Sequence, residues 1–120
     1  MTDQQESACI FCRIASGEAG ADLVAESESM VAFRDLNPQA PVHVLIVPKT
    51  HVSALRDLDW ETLNDVGAEL LAMATRVARQ EGLFAGGYRV VINDGPDAGQ
   101  TVFHLHAHLL GGAPLHVTLG

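Results

Sequence analysis

Basic side chains are scarce in this sequence. Seven Lys and Arg stand against 15 Asp and Glu in 120 residues, a formal net charge of −8 with His neutral, and Lys49 is the only lysine. A phosphate polymer is held by a basic face that displaces its counterions, so a nonspecific DNA or RNA binder is excluded, and attachment to an anionic membrane surface is disfavoured. Cysteine is nearly absent too: Cys9 and Cys12 form one Cys-x-x-Cys pair, too few to staple a domain and suited as reduced thiols to metal or redox work. Long apolar runs are missing. Val44-Leu-Ile-Val47 falls far short of the ~20 residues that cross a bilayer. Residues 1–7 are polar and acidic where an export signal is basic and then apolar. The expected compartment is the cytoplasm.

What is present is ample for one packed domain. Hydrophobic residues make up 48% of the chain and the mean hydropathy is +0.16, which excludes wholesale disorder. The expected organisation is a mobile tail over 1–7 and a single domain over 8–120. Within it, 8–15 suits a short helical turn. Segments 23–26 and 30–33 read as strands around a polar turn, and Pro38 and Pro41 stiffen the loop before a buried strand over 43–47. Leu63, Val66, Leu70, Met73, Ala74 and Val77 recur at three- and four-residue steps, so the spacing predicts a helix over 60–80, capped by Asp59 and ended at Gly82. Strands are expected over 87–93 and 102–110, with a turn-rich loop between them. The fold class is therefore α+β: an antiparallel sheet of about five strands, one long helix on one face, and a short N-terminal helix.

Three of six histidines fall within five residues, His104, His106 and His108, alternating with Leu105, Ala107 and Leu109. On a strand such residues share a face, with the imidazoles about 6.5 Å apart. A lone histidine is most simply a satisfied structural residue. Three in this register cost too much for that, since each buried imidazole needs partners for two ring nitrogens. Two chemistries fit the pattern: a metal site, or a nucleophilic imidazole held in one tautomer by its neighbours.

Phe103-His-Leu-His-Ala-His-Leu-Leu110 resembles the His-φ-His-φ-His-φ-φ signature (φ apolar) of the histidine triad (HIT) superfamily. Asp35-Leu-Asn-Pro-Gln-Ala-Pro-Val-His43, Val47-Pro-Lys-Thr-His51, Gly87-Tyr-Arg-Val-Val-Ile-Asn93, Gly99-Gln-Thr-Val-Phe-His104 and Gly111-Gly-Ala-Pro-Leu-His116 are similar to its nucleotide-binding branch, the purine nucleoside phosphoramidases. The resemblance implies a HIT-like fold whose sheet continues across a homodimer. It implies cleavage of the P–N bond of purine nucleoside phosphoramidates through a covalent nucleotidyl-histidine. His106 would attack the α-phosphorus, His108 would bind phosphate oxygens, and the His104 carbonyl would hold the Nδ1 proton of His106. Asn93, the Gly99 backbone and Thr101 would contact the phosphate and leaving group, and His43 would orient the site. Asp35 would accept the ribose hydroxyls, although its spacing also suits a turn-initiating Asp. Ile10, Phe11, Ile14, Phe33 and Leu36, plain core by composition, would form the base cleft, with Arg34 at the base edge.

Cys-x-x-Cys alone is ambiguous between redox and zinc chemistry. In zinc-containing relatives the pair is completed by the histidine of the Pro-Lys-x-His turn and by the first triad histidine. The resemblance therefore implies a structural Zn²⁺ held by Cys9, Cys12, His51 and His104, tying the N-terminal segment to the triad. Val117 stands where close relatives carry Trp, which bears on leaving-group preference. The expected partners are purine nucleoside monophosphate derivatives and a second copy of the chain, with no nucleic-acid polymer and no membrane. Two other readings are a non-catalytic nucleotide-binding scaffold and a HIT-type dinucleoside polyphosphate hydrolase. A chain with one lysine must in any case hold a phosphate through imidazoles, Asn93, Thr101 and backbone amides.

Overall fold

The computed structural model describes residues 8–116; the expected tail over 1–7 and Val117 lie outside the described residues. Five strands, β1 (Leu23–Glu26), β2 (Met30–Arg34), β3 (Val42–Pro48), β4 (Tyr88–Ile92) and β5 (Ala107–Gly111), form one sheet in the order β1-β2-β3-β5-β4. Every neighbouring pair is antiparallel. Helix α1 (Ile10–Ala15) precedes the sheet, and helix α2 (Trp60–Gln80) connects β3 to β4.

The alternation of strand side chains sorts the core into two layers. Met30 and Ala32 of β2, Val44 and Ile46 of β3, and Ala107 and Leu109 of β5 meet Leu70, Met73, Ala74, Val77 and Ala78 of α2. The alternate residues Val31, Phe33, Leu45 and Val47 face the other way, against Cys9 and Phe11 at the N-terminal segment. β3 is thus buried on both sides, which is why its apolar run is continuous. Burying a large aliphatic side chain such as Leu70 or Ile46 contributes roughly 1.5–3 kcal/mol. Helix α2 starts where Asp59 Oδ1 accepts from the Thr62 amide at 2.8 Å and stops before Gly82, whose φ of +73° is a left-handed turn.

One expected element is shorter than the sequence suggests. The last strand begins at Ala107, not at residue 102; residues 102–106 run outside the sheet. The Leu105 amide instead donates to the Val52 carbonyl at 2.6 Å. An alternating pattern marks an extended chain, but only a partner strand makes it a strand. Past Ala107 the register supplies Ile46 and Ile92. Among the described residues no helix is long and apolar enough to cross a membrane.

Candidate functional site

The register of β3 and β5 sets the site on the sheet face opposite α2. His108 pairs with Leu45, and Leu45 faces the α1 side, so His108 does as well; His43, two residues before Leu45, shares that face. A cavity of about 330 Å³ opens there. Ten of the residues expected at the site line it: Ile10, Phe11, Ile14, Phe33, Arg34, Asp35, Leu36, Thr101, His106 and His108. Gly20, Ala21, Leu45 and Val102 complete the wall and carry no sequence signal beyond being small or apolar. His43, Asn93 and Gly99 are not lining residues. His43 reaches the cavity through His108 and Asp35, and Asn93 follows β4 one step beyond the Ile92–Ala107 pair. The Gly99 amide donates to the Pro96 carbonyl at 3.0 Å, and of the 99–101 stretch Thr101 lines the cavity.

The histidines do not form one row. His106 and His108 sit edge to face with ring centroids 5.1 Å apart, whereas the His104 ring turns away and lies 4.9 Å from that of His51. Leaving the sheet at residue 106 frees His104 to do so. The backbone then fixes each tautomer. His106 Nδ1 lies 2.7 Å from the His104 carbonyl, which can only accept, so the proton is on Nδ1 and Nε2 keeps its lone pair. His43 Nδ1 accepts the Gln39 amide at 3.0 Å, which puts the His43 proton on Nε2. That Nε2–H donates to His108 Nδ1 at 2.9 Å, leaving His108 with its own proton on Nε2. The cavity thus receives one imidazole as a lone-pair donor and one as a hydrogen-bond donor. Asp35 Oδ1 accepts the Asn37 amide at 2.8 Å, as the turn-initiating reading expects, and Oδ2 lies 3.4 Å from His43 Nε2.

Burial holds these rings neutral. It is the main cause of the lowered pKa of His106, opposed by the bond to the His104 carbonyl, and of that of His43, opposed by Asp35. His108 is pushed down to about 4, first by burial and then by His106 and His43. Because the folded chain refuses a proton that the unfolded chain accepts near the ordinary value of 6.5, stability is complete above that pH and is lost as pH falls toward 4. Thermal melts are expected to be flat between pH 7 and 8 and to decline steadily below about 6.5. A melting temperature that rises on acidification through this window contradicts the neutral, buried arrangement.

A second cluster lies beside the first. Cys9, Cys12, His51 and His104 bring one sulfur or nitrogen each to within 4.8 Å of one another. His104 Nδ1 is 3.3 Å from Cys9 Sγ and 3.4 Å from Cys12 Sγ, and His51 Nδ1 is 3.1 Å from Cys12 Sγ. With Zn–S about 2.3 Å and Zn–N about 2.0–2.1 Å, the S···N edge of a zinc tetrahedron is about 3.5 Å, so these separations fit. The surroundings fit as well. His104 Nε2 lies 2.8 Å from the Pro48 carbonyl, which holds the proton there and turns the Nδ1 lone pair toward the sulfurs. Cys9 caps α1 through its sulfur, which accepts the Cys12 amide at 3.4 Å.

Asp35, His43 and His108 also approach one another as metal ligands do, but the same reasoning excludes them. Metal binding at His43 Nε2 forces the proton onto Nδ1, against the Gln39 N–H.

Three further side chains have their polar groups held by partners that no sequence pattern displays. The Arg34 guanidinium binds both Glu81 oxygens, at 2.9 and 3.2 Å, and that bond raises its pKa. Arg34 therefore lines the cavity with its charge already committed. Gln100, only 4% exposed, is tied by its amide to Gly95, Ser53 and Val102. Lys49, the single lysine, is paired with Glu26 at 2.6 Å.

Fold and site together define a protein of the histidine-triad class, with two triad imidazoles at an apolar cleft and the third at a Cys/His cluster. The chain belongs to the HIT domain family, which it matches over residues 16–115. It is 46% identical over 113 residues to a 14 kDa zinc-binding protein of Zea mays, covering 92% of this chain and 87% of that one. It is 40% identical over 106 residues to the purine nucleoside phosphoramidase of Escherichia coli, covering 88% of each. It is also 43% identical over 113 residues to an adenylylsulfatase of Arabidopsis thaliana, covering 92% of this chain and 76% of that one. Among solved structures, a histidine triad protein from Clostridium difficile superposes with a TM-score of 0.91 at 39% identity, covering 97% of this chain and 100% of that one. A zinc-bound histidine triad family protein from Mycobacterium smegmatis does so with a TM-score of 0.77 at 36% identity, covering 89% and 76%.

Proposed function

We propose that this protein is a nucleotidyl-transferring hydrolase that cleaves the P–N bond of purine nucleoside phosphoramidates. The observation that carries the reading is the His106 ring, held by its Nδ1–H on the His104 carbonyl with Nε2 unprotonated beside Asp35, Thr101 and His108 in one cavity. His106 Nε2 attacks the α-phosphorus and the P–N bond breaks, the nitrogen taking a proton from solvent water as it leaves as the amine. The His104 carbonyl stabilises the positive ring that results. His108 Nε2–H, kept in place by the Gln39–His43 chain, donates to a phosphate oxygen, and so does the Thr101 hydroxyl. Water then attacks the same phosphorus, releases the nucleoside monophosphate and returns His106 to its neutral state. The base lies between Ile10, Phe11, Ile14, Phe33 and Leu36, and the ribose hydroxyls reach Asp35; Asn93 supports the phosphate from the end of β4.

The related phosphoramidase and adenylylsulfatase differ in leaving group, an amine in one and sulfate in the other. What such reactions share is a nucleotidyl phosphorus passed to a nucleophile, the part that His106 supplies. We read Cys9, Cys12, His51 and His104 as holders of a zinc ion, which supplies a structural cross-link and no step of the reaction. We also read the protein as a homodimer that continues its sheet. β4 is an edge strand, and the half-exposed Tyr88 at its start stacks on Phe84.

A panel of adenosine and guanosine phosphoramidates and dinucleoside polyphosphates, assayed with wild type and with His106→Ala, tests the reading. Turnover of the phosphoramidates above the others, abolished in the variant, is expected. Preference for dinucleoside polyphosphates assigns the site to that hydrolase class instead. Tight nucleotide binding with background turnover leaves a scaffold.

A further inference from the structure

The loop between β4 and the triad is fastened to the 53–56 stretch. Inside it, the Gly99 amide donates to the Pro96 carbonyl at 3.0 Å and the Gln100 amide to the Gly95 carbonyl at 3.1 Å. These bonds close the loop on itself without attaching it. Arg56 and Gln100 attach it. From outside, Arg56 Nε donates to Asp94 Oδ1 at 2.6 Å, Nη2 to the Asp94 carbonyl at 3.1 Å, and the Arg56 amide to Asp94 Oδ2 at 3.2 Å. From inside, Gln100 Oε1 accepts the Gly95 amide at 2.8 Å, while Nε2 donates to the carbonyls of Ser53 at 2.7 Å and Val102 at 3.2 Å. Gly95 is required for this docking: its φ is +93°, and a Cβ there would overlap Arg56 Nη2.

Gln100 is buried, does not line the cavity, and precedes Thr101, which does. Its amide spans three backbone groups, one before Thr101, one after it, and one on the 53–56 stretch. Moving such a buried, satisfied amide leaves three polar groups without partners. We propose that Gln100 is a positioning residue for the phosphate end of the site. It clamps the chain on both sides of Thr101, so the hydroxyl meets the α-phosphate of the bound nucleotide without reorganising. This rests on the reading that a nucleotide phosphate sits at His106, His108 and Thr101. Arg56 is the outer half of the same clamp.

The test is equilibrium binding of adenosine and of adenosine monophosphate to the metal-replete full chain. Gln100→Met keeps the length of the side chain and removes its hydrogen bonds. The variant is expected to lose about tenfold in affinity for the monophosphate, the worth of one hydrogen bond to a charged group, with adenosine affinity changed less than roughly twofold. In turnover, kcat/KM is expected to fall on the order of 10- to 100-fold. Equal losses for both ligands mean general damage to the fold and overturn the proposal, as does unchanged monophosphate affinity. If Gln100→Met does not fold, Arg56→Ala, at a largely exposed side chain, carries the test. The same monophosphate-selective loss is expected, and its absence overturns the proposal. A wild type that binds both ligands equally well sinks the nucleotide reading itself, and the clamp with it.

Discussion

Replacing His106 by Asn is expected to lower single-turnover cleavage of a nucleoside phosphoramidate by at least about 10⁴-fold. Affinity for the nucleoside monophosphate is expected to change by less than about fivefold. The asymmetry follows from the role proposed for His106. Its Nδ1 is committed to the His104 carbonyl, so its contribution is the single lone pair on Nε2. An Asn amide has no comparable nucleophile. The apolar walls, Asp35, Thr101 and the His43–His108 pair remain in place to bind the ligand. Rapid-quench kinetics with calorimetric binding on the same preparation checks both halves. A variant that retains turnover removes His106 from the role of nucleophile.

The second large effect is expected at the Cys/His cluster. Protein purified without chelator should carry about one equivalent of zinc; less than about a tenth of an equivalent sinks the assignment. Removing the metal, or changing Cys9 and Cys12 to Ser, should lower the melting temperature by about 10 °C or more. An ion present at a thousandfold its dissociation constant contributes about 4 kcal/mol to a folded domain. Catalysis should fall with stability, because the same residue serves both centres. The His104 ring points at the two sulfurs while its carbonyl holds His106. Differential scanning calorimetry and metal analysis of wild type and the double variant test this together. Zinc-replete and zinc-free protein with the same melting temperature contradicts a structural role.

How much of this was legible in the sequence depends on the range of the interactions involved. Helix α2 was legible to the residue, because Asp59, the apolar spacing and Gly82 are all local signals. Strands β1, β2 and β4 and the Ser27–Ser29 turn were legible for the same reason. The triad segment reads as strand from residue 102, five residues too early, because Leu105 alternates with histidines whether or not a neighbour pairs with it. What takes its amide is Val52, more than fifty residues earlier. The division of labour among the histidines came from the family resemblance, and its physical cause is in backbone groups that no pattern displays: the Pro48 carbonyl, the Gln39 amide and the His104 carbonyl. Gln100 and Arg56 carry no sequence signal because their partners are likewise main-chain atoms or a distant Asp. The shortage of basic side chains proved the most informative feature of the composition. Lys49 and Arg34 are both paired with glutamates, so the polar side chains left at the cavity wall are Asp35, Thr101 and two neutral imidazoles.

The central claim is that phosphorus passes through His106. The most direct measurement is the stereochemical course of hydrolysis of a nucleoside thiophosphoramidate, chiral at phosphorus, in isotopically heavy water. Two successive in-line displacements, one by His106 Nε2 and one by water, invert twice, so the account predicts overall retention of configuration. Overall inversion would mean that water attacks the substrate directly, and would contradict it.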